Sequence, residues 1–142
     1  MKVSEWIGLH PAMPVTVPPD VESEAIAETF LSHPHLRDIY VVSPEGAVLG
    51  FIRHRRLAQI LLSEYLPIQS SHQIIERVSG GSARELMEAD FVSAHPDEQL
   101  DNVLNQMLEY EVEDMPVLDN RRRIVGNINL TEVLRAVREQ AL

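Results

Sequence analysis

The chain is built on an internal repeat. Laid over itself with Tyr40 on Pro116, the stretch Tyr40–Gly50 falls without gaps on Pro116–Gly126, each an apolar run, a polar turn, a second apolar run and a glycine. Upstream, Val15–Asp20 matches Val92–Asp97 with a one-residue difference in displacement, which a loop absorbs. A repeat of this kind restricts the fold before any residue propensity is consulted, because each copy must be one supersecondary unit.

Periodicity identifies the unit. In the second copy Leu100, Val103, Leu104, Met107 and Leu108 form an amphipathic helical stripe behind the start signal Pro96-Asp97. Ala25, Ile26, Thr29 and Phe30 make a weaker stripe after Pro19-Asp20. Two β-rich runs follow each helix, Ile39–Val42 with Ala47–Ile52 and Met115–Leu118 with Ile124–Ile128, and the turn residues between them predict hairpins. Each copy closes with a helix, over Arg55–Tyr65 and Leu130–Gln140. The unit is therefore strand, helix, strand, strand, helix, in the mixed α/β (α+β) class.

The linker-like stretches Pro67–Ser71 and Ser79–Ser82 bracket an apolar segment around Ile74, Ile75 and Val78. Residues 82–87 are expected to lead into the second copy, with Ser82 and Glu85 spaced as a capping box, and residues 3–8 to be their counterpart in the first. The expected organisation is a first unit over 1–66, a linker over 67–81 and a second unit over 82–142. A unit of about 50 residues buries too little surface for comfortable stability, so the copies are expected to form a pair sharing one core.

Charge narrows the partners. With 22 acidic and 12 basic residues the net charge is −10, which disfavours phosphate backbones and anionic lipid surfaces. Residues 1–70 hold five bases and eight acids, and residues 71–142 seven and fourteen, so the first half keeps a local arginine cluster within a less acidic background. The absence of cysteine removes disulfides, thiolate metal sites and cysteine nucleophiles. Glu5 and His10 interrupt any signal-peptide core, and no apolar run approaches the roughly 18 residues of a spanning helix, so a cytoplasmic protein without membrane insertion is expected. Lys2 is the only lysine, and no G-x-S-x-G, H-E-x-x-H or glycine-rich phosphate loop is present, so catalysis is not indicated.

Pro96–Leu134, together with Pro18–Phe30 and Ile39–Leu61, resembles a tandem pair of cystathionine-β-synthase (CBS) domains, over residues 13–62 and 86–138. The resemblance implies two βαββα motifs packed as a pseudo-twofold pair, often dimeric, with clefts that take AMP, ADP, ATP or S-adenosylmethionine, and a regulatory role toward an enzyme or transporter. The alternative is a dimerising scaffold that has lost its nucleotide sites. Against the family motif of glycine, two residues, Thr or Ser, two residues and Asp, the second copy places Asn129 at the Thr/Ser position and Glu132 at the ribose-binding Asp position. The first copy places Arg53 and Arg56 there, and an arginine has no acceptor for a ribose diol. Thr16, Val92, Met115 and Pro116 complete the ligand-binding positions that the resemblance implies.

Both readings of Glu132 stay open: a ribose acceptor, or the second member of a capping box opened by Asn129. The Arg53–Arg56 run, at an expected helix N-terminus, can meet a ligand phosphate or the carboxylates of Glu109, Glu111, Glu113 and Asp114. The base and ribose are then expected near Glu132 and the phosphates at the first-copy arginines. Arg121–Arg123 in a hairpin turn is expected to be solvated, and His33-Pro34-His35 to be a polar loop tip without a metal shell.

Overall fold

A computed structural model of the chain describes residues 1–63, 65 and 81–142. Ile74, Ile75, Val78 and most of the expected linker lie outside the described residues. The elements run α1 (Val3–Leu9), β1 (Thr16–Val17), α2 (Ser23–Ser32), β2 (Asp38–Val42), β3 (Val48–Arg53), α3 (His54–Leu62), α4 (Ala83–Leu86), α5 (Leu100–Glu109), β4 (Asp114–Leu118), β5 (Ile124–Asn129) and α6 (Leu130–Arg138). The two closing helices thus stop short of the expected Tyr65 and Gln140.

The chain divides into two compact units, Val15–Phe91 and Met1–Pro14 with Val92–Leu142. In the first, β1 pairs parallel to β2 and β2 antiparallel to β3. In the second, β4 and β5 form the corresponding hairpin, and the expected leading strand is reduced to a single parallel bridge between Ala94 and Val117. The hairpins are alike in detail: the register slips at Val41/Val42 in one and at the equivalent Val117/Leu118 in the other.

Their turns solve one problem in two ways. Gly46 has φ 87°, and its counterpart Arg122 has φ 62°, a conformation an L-residue adopts only when its surroundings enforce it. The Asp119 carboxylate does so by accepting from the Arg121 and Arg123 amides at 2.8 and 2.9 Å and from Arg123 Nε at 3.1 Å. These bonds, that of the Arg123 amide foremost, hold the Asp119 carboxyl below its ordinary value of 3.8.

The lead-ins are exchanged relative to the sequence expectation. Residues 3–8 pack with the second copy, and 82–87 with the first. Val3 and Trp6, both essentially inaccessible, join Leu100, Val103, Met107, Met115, Val117 and Ile128 in one cluster. Ala83 and Leu86 join Ile26, Phe30, Ile39, Val41, Ile52 and Leu57 in the other. What the two copies share is therefore this exchange, since each cluster is completed by a piece from outside its own repeat.

Backbone hydrogen bonds secure it. Ala83 and Arg84 donate to Val21 O and Pro19 O while Ser23 donates to Gly81 O; equivalently, Val3 and Ser4 donate to Glu98 O and Pro96 O while Leu100 donates to Met1 O. Lead-in and helix start thereby satisfy each other's orphan amides. This explains why neither Ser82, Glu22 nor Gln99 makes a side-chain cap, and why the Ser82–Glu85 capping box does not form. The Pro-Asp pairs shape the turns just before α2 and α5, which begin at Ser23 and Leu100.

The repeated glycine has its reason here. A Cβ at Gly126 would stand 2.7 Å from Ile7 Cγ2, and one at Gly50 would stand 2.6 Å from Glu88 O and 2.9 Å from Met87 Sδ. Gly50→Ala and Gly126→Ala should each destabilise by about 1–3 kcal/mol, Gly50 the more because it meets backbone. Gly8→Ala, with open space around it inside α1, should stabilise by about 0.5–1 kcal/mol; urea denaturation measures all three. A folded-state pKa below the unfolded one means that Asp119 stabilises above the ordinary value and loses that contribution as pH falls through the lowered one. Asp119→Asn should accordingly lower the melting temperature at pH 7, with the gap to the parent closing below about pH 3.8.

Candidate ligand-binding site

Asp38 and Asp114 stand at equivalent positions, paired in register with Arg53 and Asn129 respectively. The two frames carry different chemistry. In the unit completed by Val92–Leu142, Asp114 Oδ1 accepts from Asn127 Nδ2 at 2.9 Å and from Asn129 Nδ2 at 2.8 Å. Asn129 Oδ1 in turn accepts from the amides of Thr131 and Glu132 at 2.9 and 3.3 Å, capping α6. The Asn129 amide is committed at both ends, so it holds the helix start and leaves those two amides closed to an anion.

Glu132 does not return to the N-cap, so the expected capping box does not close. Its carboxylate instead pairs with Arg135 one turn on through Oε1, while Oε2 lies 3.7 Å from His10 Nδ1. His10 caps the end of α1 and stacks on Trp6, with ring centroids 3.9 Å apart and planes inclined by 24°. The Glu132 side chain keeps 35% of its exposure, and an ionised carboxylate offers about four lone-pair sites, more than its two internal partners use. It remains able to accept from a vicinal diol.

Of the other expected positions in this unit, Met115 has its side chain in the core and can present only backbone, Pro116 is buried with its carbonyl accepting from Ala94, and Val92 is half-buried against the core cluster. Glu132, Asn129, Met115, Pro116 and Val92 are thus brought into one unit. Thr16, Arg53 and Arg56 belong to the other.

In that other unit Thr16 is exposed on β1. Arg53 Nε lies 3.8 Å from Asp38 Oδ1, and its guanidinium sits 5.3 Å from the centre of the Phe51 ring, a cation–π arrangement. Arg56 Nε donates to Leu86 O at 3.2 Å, tying α3 to α4. Of the carboxylates of Glu109, Glu111, Glu113 and Asp114, one expected partner for these arginines, that of Asp114 is engaged by Asn127 and Asn129. Glu111, with φ 56°, stands where α5 ends, its amide donating to Leu108 O and that of Val112 to Met107 O, the bonds that terminate a helix. Tyr40 and Phe51 of the same hairpin pack with Phe91, whose ring meets each of theirs edge-on.

Away from the site, Arg121 and Arg122 are exposed, and His33 Nδ1 bonds Thr29 O at the end of α2. A shallow hollow of about 260 Å³ runs along Thr131, Leu134, Arg135 and Arg138 on α6.

Residues 83–139 match the CBS domain family. The fold agrees over nearly the whole chain. A CBS domain-containing protein from Thermotoga maritima is 26% identical with a TM-score of 0.70, covering 98% of this chain and 95% of that one. The chain carries a CBS domain over residues 83–139.

Its fold is that of a tandem CBS pair. CBSX2, solved with AMP, superposes with a TM-score of 0.76 at 16% identity over 99% and 98% of the two chains. The CBS domain pair of protein MJ0100, solved with 5′-methylthioadenosine and S-adenosyl-L-methionine, superposes at 0.69 with 20% identity over 99% and 98%. Among curated proteins, L-aspartate semialdehyde sulfurtransferase of Methanocaldococcus jannaschii is 24% identical over 86% of this chain, and homoserine O-acetyltransferase of Methanohalobium evestigatum 22% identical over 80%. The chain spans only 21% and 26% of the length of those enzymes.

Sequence reasoning placed Glu132 and Asn129 correctly at the helix start but missed Asp114 and Asp38, whose signal was present as the same residue at equivalent repeat positions. It also missed His10, for which local sequence offers no signal. The cap is directly testable: Asn129→Ala should cost about 1 kcal/mol of stability, and Asp114→Ala should reproduce part of that loss by freeing the Asn129 amide, as measured by chemical denaturation.

Proposed function

We propose that this CBS pair is a cytoplasmic ligand-sensing module that takes an adenosyl ligand, AMP, ADP, ATP or S-adenosylmethionine, and regulates a partner enzyme or transporter without catalysing a reaction itself. The observation that carries the reading is the half-exposed Glu132 carboxylate at the start of α6, standing where the family motif has its ribose-binding Asp. The AMP complex of CBSX2 and the 5′-methylthioadenosine and S-adenosyl-L-methionine complex of MJ0100 support the ligand class. Val92, Met115 and Pro116 would supply backbone and apolar contacts beside Glu132, and Asn129 would set the helix start. Binding acts by favouring one of two arrangements of the protein, which a partner distinguishes.

A homodimer belongs to the same proposal, since α6 leaves Leu134 and Val137 69% and 53% exposed. Among the described residues no helix is long and apolar enough to cross a membrane.

Specific observations favour a second reading, a dimerising scaffold without a small ligand. Asn129 is wholly engaged by backbone and Asp114, Arg53 lies beside Asp38, and Arg56 is bonded to Leu86 O.

Thermal unfolding with AMP, ADP, ATP and S-adenosylmethionine separates the two. A ligand at about 100 times its dissociation constant should add about 2.7 kcal/mol of stability. Glu132→Ala should weaken the responding ligand about ten- to a hundredfold, the worth of a charge-assisted hydrogen-bond acceptor. No shift with any ligand establishes the scaffold.

A further inference from the structure

Two groups of different origin face the Glu132 carboxylate, Arg135 in a hydrogen-bonded pair and the His10 imidazole with Nδ1 at 3.7 Å. Arg135 comes from its own helix, one turn on, whereas His10 comes from α1, at the opposite end of the chain. The imidazole is not free to wander. Its backbone amide donates to Trp6 O at 2.9 Å and its ring lies flat on the indole of Trp6, which is 1% exposed within the core cluster. A ring held by a core tryptophan on one side and facing a carboxylate oxygen on the other fixes the direction in which that oxygen points. Arg135, whose side chain is half-exposed on α6, offers no such rigid support.

We propose that His10 is a positioning residue for Glu132, so that α1 sets the geometry of the ligand-accepting carboxylate and registers its occupancy. This rests on the reading of Glu132 as the ribose acceptor. A diol that donates its hydrogen bonds to Glu132 must share or displace the His10 contact, and the ring that moves is the one stacked on Trp6. The chain contains a single tryptophan, so the indole emission reports this one stack without labelling.

The test is an AMP titration of the intact protein, followed by calorimetry and by Trp6 emission, for the parent, His10→Ala, His10→Gln and Glu132→Gln. Gln keeps an N–H donor where Ala does not. The expected result is that AMP shifts the emission of the parent, that His10→Ala weakens AMP about two- to fivefold, the range of a half-exposed pair, and that His10→Gln restores most of the affinity. Glu132→Gln should change the emission with no ligand present, because the stacked ring loses its partner. AMP affinity unchanged in His10→Ala would overturn the positioning role while leaving the adenosyl-ligand reading intact. Emission indifferent to Glu132→Gln would overturn it at the contact itself. Absence of binding by the parent protein to AMP and, in the same titration, to ADP, ATP and S-adenosylmethionine overturns the ligand reading and the inference together.

Discussion

The fold depends on a reciprocal bargain between helix ends. The first amides of a helix have no partner within it, and burying them unpaired is costly. Here each long helix that follows a Pro-Asp turn shares its start with a short lead-in running against it, and each donates to carbonyls of the other. The apolar residues of the lead-in then have one place to go, under the sheet beside that helix, where Trp6 and Leu86 are buried almost completely. The glycines at 50 and 126 follow from the same arrangement, because the lead-in passes too close to the hairpin for a Cβ. Capping, core filling and the repeated glycine are consequences of one set of bonds.

On this common frame the two units have diverged in chemistry without diverging in shape. The same strand positions hold Asp38 facing Arg53 and Asp114 facing Asn129. One aspartate stands beside a guanidinium that also rides on Phe51; the other orients an amide that caps a helix. Asp114, which reads as part of an acidic surface run, is thus a framework residue. A carboxylate at the position of the family's ribose-binding Asp stands only in the unit that carries Glu132, the other unit having Arg56 there.

Much of this was legible in the sequence because it is local. Leu100, Val103 and Met107 mark a helix by spacing alone, and the turn residues between the β-rich runs mark the hairpins. Asn129 is a good N-cap by residue type and does cap. The exchange of lead-ins was not legible, since Val3–Trp6 and Ala83–Leu86 carry the same pattern and either could pack beside either helix start. Ser82 failed as a cap for a related reason: the amides it would have served face carbonyls of the chain near Pro19 and Val21. The partner of Glu132 was hidden too, because its proximity to His10 depends on that same exchange.

The proposed sensing draws on that dependence. Arg135 can hold Glu132 whatever α1 does, since both lie on one helix. His10 reaches Glu132 only because α1 is packed into this unit by Trp6 and Val3, and the chain beyond His10 continues through Pro14 directly into β1 of the other unit. A carboxylate gripped by its own helix alone would bind a ligand and report nothing. One that also faces the imidazole of the segment leading to the next unit would tie its occupancy to that segment, the differential contact that the proposed coupling between two states requires.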